Sequence, residues 1–246
     1  MISFIIQGKY HSNTYRMVEQ LKGKGEIIVS CYENEFPQVD CKVIKSSNSP
    51  PVSKIQNSLP YQIRTTLAGL QQASHNLSIK LRSDEYYNLD PIIKAVKDNP
   101  SKYTTNNIFF IPGLNETPHT VFHTSDHIIG GKTEMLLRQF TFADRLLNQY
   151  KEETQTPAYP FGLTYTRNIS IEGFLCLCWF HSNSIDYNNG KYSIEEANKL
   201  LKKYCCCVDI DTMAPYEWRA IGNSYTNSDF IYNNGYNKSI RSIEEL

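Results

Sequence analysis

The chain has 246 residues, with 25 Lys and Arg against 25 Asp and Glu, so no net charge points to a nucleic-acid or anionic-membrane partner. No apolar run reaches the roughly 18 residues of a transmembrane segment, and the start, Met1-Ile2-Ser3-Phe4-Ile5-Ile6, lacks the basic region and cleavage site of a signal peptide. The expected location is cytoplasmic, or at the cytoplasmic face of a membrane, and the length suits one α/β domain over residues 1–215 with a polar Tyr/Asn/Ser-rich tail over 216–246.

Residues 2–6 read as a continuous apolar strand of the buried parallel type. It breaks at Gln7-Gly8-Lys9-Tyr10. Open α/β sheets bind ligands where strands end at their carboxyl side, and Gly8 would let the backbone approach a ligand closely. Asn13-Thr14 opens a helix through Leu21 with Tyr15, Val18 and Leu21 on one face, stopped by Gly23 and Gly25. A second strand over 26–30 runs out into Cys31-Tyr32-Glu33-Asn34-Glu35, and a third is expected at 41–44. No G-x-G-x-x-G follows the first strand, which disfavours a dinucleotide fold, and the absence of G-x-x-x-x-G-K-S/T excludes a P-loop.

Pro50-Pro51 marks a loop, and residues 61–73 an amphipathic helix with Ile63, Leu67 and Leu70 inward. Arg64 on that helix is either a solvated charge or a diphosphate contact. The helix feeds a strand over 78–82 in which Ile79 and Leu81 alternate with Lys80 and Arg82. That strand ends in Ser83-Asp84-Glu85, then Tyr86-Tyr87. Acids at a strand end with cations just upstream suit a metal–diphosphate group. A hard divalent cation takes carboxylate and phosphate oxygens, and Arg and Lys take the remaining phosphate charge. The competing reading is a strand end with ordinary solvated charges.

Asp90 is expected to cap a short helix over 91–96, with Pro91 at its first position. Residues 107–111 read as a buried strand ended by Pro112-Gly113. His123, Asp126 and His127 then fall in one short stretch before Gly130-Gly131. Their spacing matches no familiar zinc site, and binding of a hydroxylated ligand or a hydrogen-bonded turn are the other readings. Thr133-Glu134 opens a helix through Tyr150, and a loop follows over 152–160. Ser170 is a plausible N-cap for a helix with Glu172 in its first turn, where an acid can be simple dipole complementation. Trp179-Phe180-His181 closes that apolar run. A last helix spans 193–204, with Ser193 and Glu196 as a capping pair. The tail from Tyr216 wraps the surface or is disordered. The seven cysteines lack zinc-site spacing and read as small buried hydrophobes in a reducing compartment.

Several of these stretches, in this order, resemble the WavE family: Gln7-Gly8, residues 30–35, residues 62–73 leading into Lys80-Leu81-Arg82-Ser83-Asp84, and His123-Thr124-Ser125-Asp126-His127 before Lys132-Thr133-Glu134. The resemblance runs over residues 2–181. That family is associated with sugar transfer in lipopolysaccharide synthesis and has relatives in large DNA viruses. It implies a GT-A fold, a Rossmann-like mixed, mostly parallel sheet flanked by helices, with a D-x-D-like motif at the end of a central strand. Two departures stand out: Ser83-Asp84-Glu85 is not a clean D-x-D, and the family's Pro-Glu-Gln appears as Ile171-Glu172-Gly173.

The activity implied is metal-dependent transfer from a nucleotide-sugar donor, a UDP-sugar above all, to a hydroxyl of a glycan acceptor, with inversion. Mn²⁺ or Mg²⁺ would sit on Asp84, with Glu85 and His181 as further ligands, although His181 also reads as an ordinary histidine at the edge of an apolar run. Arg64, Lys80, Arg82 and Ser83 would meet the diphosphate and sugar, and Gln7, Gly8, Tyr10 and Glu33 the nucleoside. His123, Asp126 and Gly131 would shape the acceptor side. Glu172 would be the catalytic base, with Asp126 its rival. The alternatives are a GT-A-like protein that binds nucleotide or sugar without turnover, and a nucleotidyltransferase, which would normally carry a Gly-rich loop after the first strand.

Overall fold

All six positions of the first strand, β1 (Ile2–Gln7), are buried, as its apolar run requires. A strand buried on both faces belongs in the middle of a parallel sheet. In the computed structural model, which describes residues 1–47, 59–104, 108–110, 124, 126–149, 171–186, 194–207, 216–218 and 224–225, β1 is that strand. The elements that follow are α1 (Ser12–Leu21), β2 (Glu26–Tyr32), β3 (Lys42–Ser46), α2 (Leu59–Leu70), β4 (Leu77–Arg82), β5 (Glu85–Tyr86), α3 (Asp90–Asp98), α4 (Pro100–Thr104), β6 (Ile108–Phe110), β7 (Ile128–Lys132), α5 (Thr133–Gln149), α6 (Ile171–Ser182), α7 (Ile194–Tyr204), β8 (Cys205–Cys207), β9 (Tyr216–Trp218) and β10 (Ser224–Tyr225).

The main sheet runs β3-β2-β1-β4-β7-β6-β8. Only β7 is reversed, antiparallel to both β4 and β6. One core cluster joins Ile5 and Ile28 to α2, α5, α6 and α7. The other joins Phe4, Ile6, Ile79 and Leu81 to α1 and α3 on the opposite face. The expected α/β class is therefore what the chain folds into: a mixed, mostly parallel sheet between helical layers. None of its described helices is long and apolar enough to cross a membrane. Five of the cysteines are buried thiols, Cys31, Cys176, Cys178, Cys205 and Cys206.

Local differences from the sequence reading have physical causes. Helix α1 starts one residue early because His11 caps it. His11 Nδ1 accepts from the Asn13 N–H at 3.2 Å, and Thr14 Oγ1 accepts from the His11 N–H at 3.1 Å. Its buried face is Met17, Val18 and Leu21, and Tyr15 is turned outward. The cap of α3 is Leu89, not Asp90. The neighbouring Asn88 carboxamide accepts the Asp90 N–H at 3.1 Å, an Asx-type turn that takes over the capping. Lys80, expected on a polar face, is fully buried because β4 is covered on both faces.

The largest difference is β7. The sequence reading places no strand at Gly130-Gly131, yet both glycines are strand residues, Gly131 opposite Ser78 and Gly130 opposite Ile79. Part of the tail is also ordered into a second sheet, β10-β9-β5, with Trp218 opposite Glu85. The expectations at Pro50-Pro51, Pro112-Gly113, His123, residues 152–160, Ser170, Ser193 and most of the tail fall outside the described residues.

Candidate active site at the carboxyl edge of the sheet

From β1 the chain builds outward through β2 and β3, then returns to lay β4 on the other side of β1. Strand order thus reverses between β1 and β4, and in open α/β sheets the crevice at that point, at the strands' carboxyl ends, is where ligands bind. Gln7 and Arg82 are opposite each other there.

Short backbone ties floor the crevice. The Ser83 N–H donates to Gln7 O at 2.9 Å, and the Gly8 N–H to Ser30 O at 3.1 Å. Ser83 Oγ donates to Lys9 O at 2.7 Å. Gly8 has φ +121°, and a Cβ there would lie 2.7 Å from Ser83 Oγ, so only glycine fits. The start of α1 holds the next turn: Thr14 Oγ1 donates to Ser83 O at 3.0 Å and Asn13 Nδ2 to Asp84 O at 3.3 Å.

Because β7 runs antiparallel and begins with Ile128 opposite Leu81, the residues just before it meet those just after β4. Charges therefore converge. Arg82 forks onto Asp84, Nε to Oδ1 at 3.1 Å and an Nη to Oδ2 at 3.0 Å. The same guanidinium lies 3.3 Å from Glu85 Oε1 and 3.7 Å from Asp126 Oδ2. Glu85 Oε1 also meets His127 Nδ1 at 2.5 Å. Lys80 Nζ donates to the Asp126 carbonyl, and Gln62 Nε2 to the Asp126 carboxylate. Three cationic side chains, Lys80, Arg82 and His127, thus face three carboxylates, Asp84, Glu85 and Asp126.

The electrostatics follow from burial against pairing. Burial lowers the Lys80 ammonium to about 8 despite the pull of Asp126. Burial would raise Asp126, but Lys80, His127, Arg82 and the Gln62 hydrogen bond hold it well below the usual carboxylate range. His127 is disfavoured as a cation by burial, yet Glu85 and Asp126 raise its pKa overall. Asp84 is likewise lowered, its burial outweighed by Arg82.

The remaining candidates are placed as follows. The Gln7 carboxamide accepts from Thr65 Oγ1 at 2.9 Å, so α2 holds it in the crevice floor. The Tyr10 N–H donates to Glu35 Oε2 at 3.2 Å, and Glu33 is exposed beyond the end of β2. Arg64 lies 3.9 Å from Asp144 of α5, a helix–helix ion pair away from the charge cluster. Gly131 sits four positions inside the sheet from the edge residue 127, beside Ser78 rather than at the crevice. His181 stacks on Phe142, with ring centroids 4.4 Å apart, in the last turn of α6. Glu172 is half-buried in the first turn of α6. Midway along α6, Cys176 is within hydrogen-bonding reach of Thr124, two residues before Asp126.

Sequence reasoning did not assign roles to His127, Gln62, or the Tyr32–Tyr61 pair at the end of β2. The two tyrosine rings meet edge-on at 5.4 Å. Burial, with Tyr61 nearby, pushes the Tyr32 hydroxyl up to about 12, so it stays a neutral phenol. One signal was legible: residues 80 and 82 are spaced by two, which puts both cations on one side of β4.

The divalent cation implied by the acidic motif needs carboxylate oxygens open to water and phosphate. The residues as arranged do not fit that need. Both Asp84 oxygens accept from Arg82. Glu85 has no exposed surface, its Oε1 is shared by His127 and Arg82, and its Oε2, without a hydrogen-bond partner, is sealed from solvent. Among the described residues no group of three or more His, Cys, Asp and Glu could hold a metal. An open cavity of about 730 Å³ lies at the opposite edge of the sheet, lined in part by Gly23, Lys24, His75 and Lys97, away from these charges.

Residues 12–202 match the family model described as WavE lipopolysaccharide synthesis. No curated protein matches the chain. Among solved structures, S. aureus TarS is similar at 14% identity, over 93% of this chain and 45% of that one, with a TM-score of 0.41. Its 1–349 fragment in complex with UDP-GlcNAc is similar at 16% identity, over 55% and 46%, with a TM-score of 0.35. HddC from Yersinia pseudotuberculosis is similar at 12% identity, over 55% and 78%, also with a TM-score of 0.35. The match thus spans about half the length of TarS.

Proposed function

The chain belongs to the WavE lipopolysaccharide synthesis family, and from that premise we propose that it is a glycosyltransferase that moves a sugar from a nucleoside-diphosphate sugar, UDP-linked, to a hydroxyl of a glycan acceptor with inversion. The observation that carries this reading is Arg82 at the end of β4, backed by the buried Lys80, at the crevice where the strand order reverses. A diphosphate leaving group needs fixed positive charge where its own negative charge develops, and a preorganised guanidinium supplies it without reorganisation.

The other roles follow from position. The floor made by Gln7, Gly8 and Ser83 lies under the nucleoside–phosphate junction, with Tyr10, Glu33 and the Tyr32–Tyr61 pair on the base side. The segment at Asp126-His127, with His123 just upstream, borders the acceptor side. Glu172 takes the acceptor proton as general base. Asp126 is the weaker candidate, because a carboxylate stabilised this far in its ionised form has little basicity to offer.

The test is a mass-spectrometric screen of the chain against UDP-, GDP- and dTDP-sugars. Slow hydrolysis of one donor class is the expected outcome and identifies a transferase even with its acceptor unknown. Tight binding of a donor with no hydrolysis would make the chain a nucleotide-sugar-binding protein, a reading that the self-neutralised acidic motif favours. Neither binding nor hydrolysis with any donor would refute both.

A further inference from the structure

We propose that the donor diphosphate binds directly to Arg82, in the place that the Asp84 carboxylate occupies in the free chain, with no divalent cation bridging the two. This rests on the nucleotide-sugar reading above and concerns how that site takes its ligand. The Arg82–Asp84 contact is a fork, two parallel N–H···O bonds at 3.1 and 3.0 Å. That is the geometry in which a guanidinium also grips two oxygens of a phosphate. Asp84 therefore resembles the missing ligand more than it resembles a ligand for a metal.

The surroundings favour an exchange. The Asp84 side chain keeps 25% of its surface exposed, so a displaced carboxylate can turn into water. Arg82 stays where it is, because Glu85 Oε1 also meets its Nε, at 3.3 Å, and Asp126 Oδ2 meets the nitrogen outside the fork, at 3.7 Å. Lys80 beneath adds a second positive charge whose hydrogen bond goes to a carbonyl, not to a carboxylate. For a cation to take Asp84, by contrast, it would have to share both carboxylate oxygens with the Arg82 charge beside them, and Mg²⁺-type ions shed water reluctantly. Glu85 cannot substitute while its surface is closed.

The two modes predict opposite effects for one substitution. If Asp84 holds a metal, Asp84→Asn abolishes nucleotide binding. If it is a stand-in for the diphosphate, Asp84→Asn removes a competitor and tightens UDP by up to about fivefold, the worth of a partly exposed ion pair. Calorimetry with UDP, on wild type and Asp84→Asn, in EDTA and in Mn²⁺, reads this directly. The expected result is wild-type binding that EDTA leaves unchanged, Asp84→Asn binding at least as tight, and Arg82→Gln binding weaker by about ten- to a hundredfold, the loss of a charge-assisted bond. Circular dichroism checks that Arg82→Gln is folded, and the Asp84→Asn arm stands alone if it is not. Binding that needs Mn²⁺ and is lost in Asp84→Asn overturns the inference and leaves the nucleotide-sugar reading intact. No binding of UDP, or of the GDP- and dTDP-based ligands run beside it, under any condition overturns the reading itself.

Discussion

Replacing Gly8 by alanine should destabilise the protein through two separable effects. Its φ of +121° is a region that L-residues rarely adopt, and forcing a side chain there costs about 1–3 kcal/mol. The new Cβ would also lie 2.7 Å from Ser83 Oγ. Relief requires Ser83 to rotate away and give up its 2.7 Å bond to Lys9 O, which costs about 1 kcal/mol. Gly8→Ala should therefore lose about 2–4 kcal/mol of unfolding free energy, or about 5–15 °C in Tm for a chain of this size. Urea denaturation of wild type, Gly8→Ala, Ser83→Ala and the double variant separates the parts. With Oγ gone the contact disappears, so the double variant should be more stable than the sum of the singles by about 1 kcal/mol. Strict additivity would remove the Ser83 contact from the account. A Gly8→Ala loss below about 0.5 kcal/mol, within the range of ordinary surface changes, would refute the whole argument. Weakened UDP binding with stability intact would instead make Gly8 a ligand contact.

The His127 pKa is raised, with burial opposing and Glu85 and Asp126 prevailing. The charged ring then stabilises the fold fully below its unfolded value of about 6.5, and the contribution fades as pH rises through the folded value. Urea midpoints should fall from mildly acidic to mildly alkaline pH, and His127→Gln should flatten that fall; an unchanged slope would refute it. Glu172→Gln should lower kcat by about 10²- to 10⁴-fold, with donor Kd nearly unchanged. Transfer that persists in Glu172→Gln but fails in a folded Asp126→Asn would move the base to Asp126.

The parallel half of the sheet was legible because a strand buried on both faces needs a dense apolar run, and residues 4–6 and 27–29 have one within 2–6 and 26–30. Strand β7 was not, because Gly130-Gly131 is turn punctuation in most contexts, and only its pairing with β4 on one side and β6 on the other reveals it as a strand. That omission hid the site. Without β7 nothing brings Asp126 and His127 to the end of β4, so the contact between Glu85 and His127, 42 residues apart, had no local signal. The acids and cations were each found as chemistry-bearing residues; what stayed invisible was that they face one another.

Lys80 shows why the cluster has the composition it has. An ammonium on the central strand of a doubly covered sheet, with no exposed surface, is costly unless acids lie close, and even here burial lowers it to about 8. Among the described residues, the acids within reach come from the turn that ends β4 and from the segment that enters β7, where Asp84, Glu85 and Asp126 stand. They are therefore required to hold Lys80 and Arg82 in place before any substrate arrives. Metal-binding acids at strand ends are recognisable by being left unpaired by their own chain. Here a guanidinium two residues upstream, across the turn at Ser83-Asp84, pairs Asp84 first, and the acidic motif becomes a scaffold for the guanidinium that would meet the phosphates and for the ammonium beneath it.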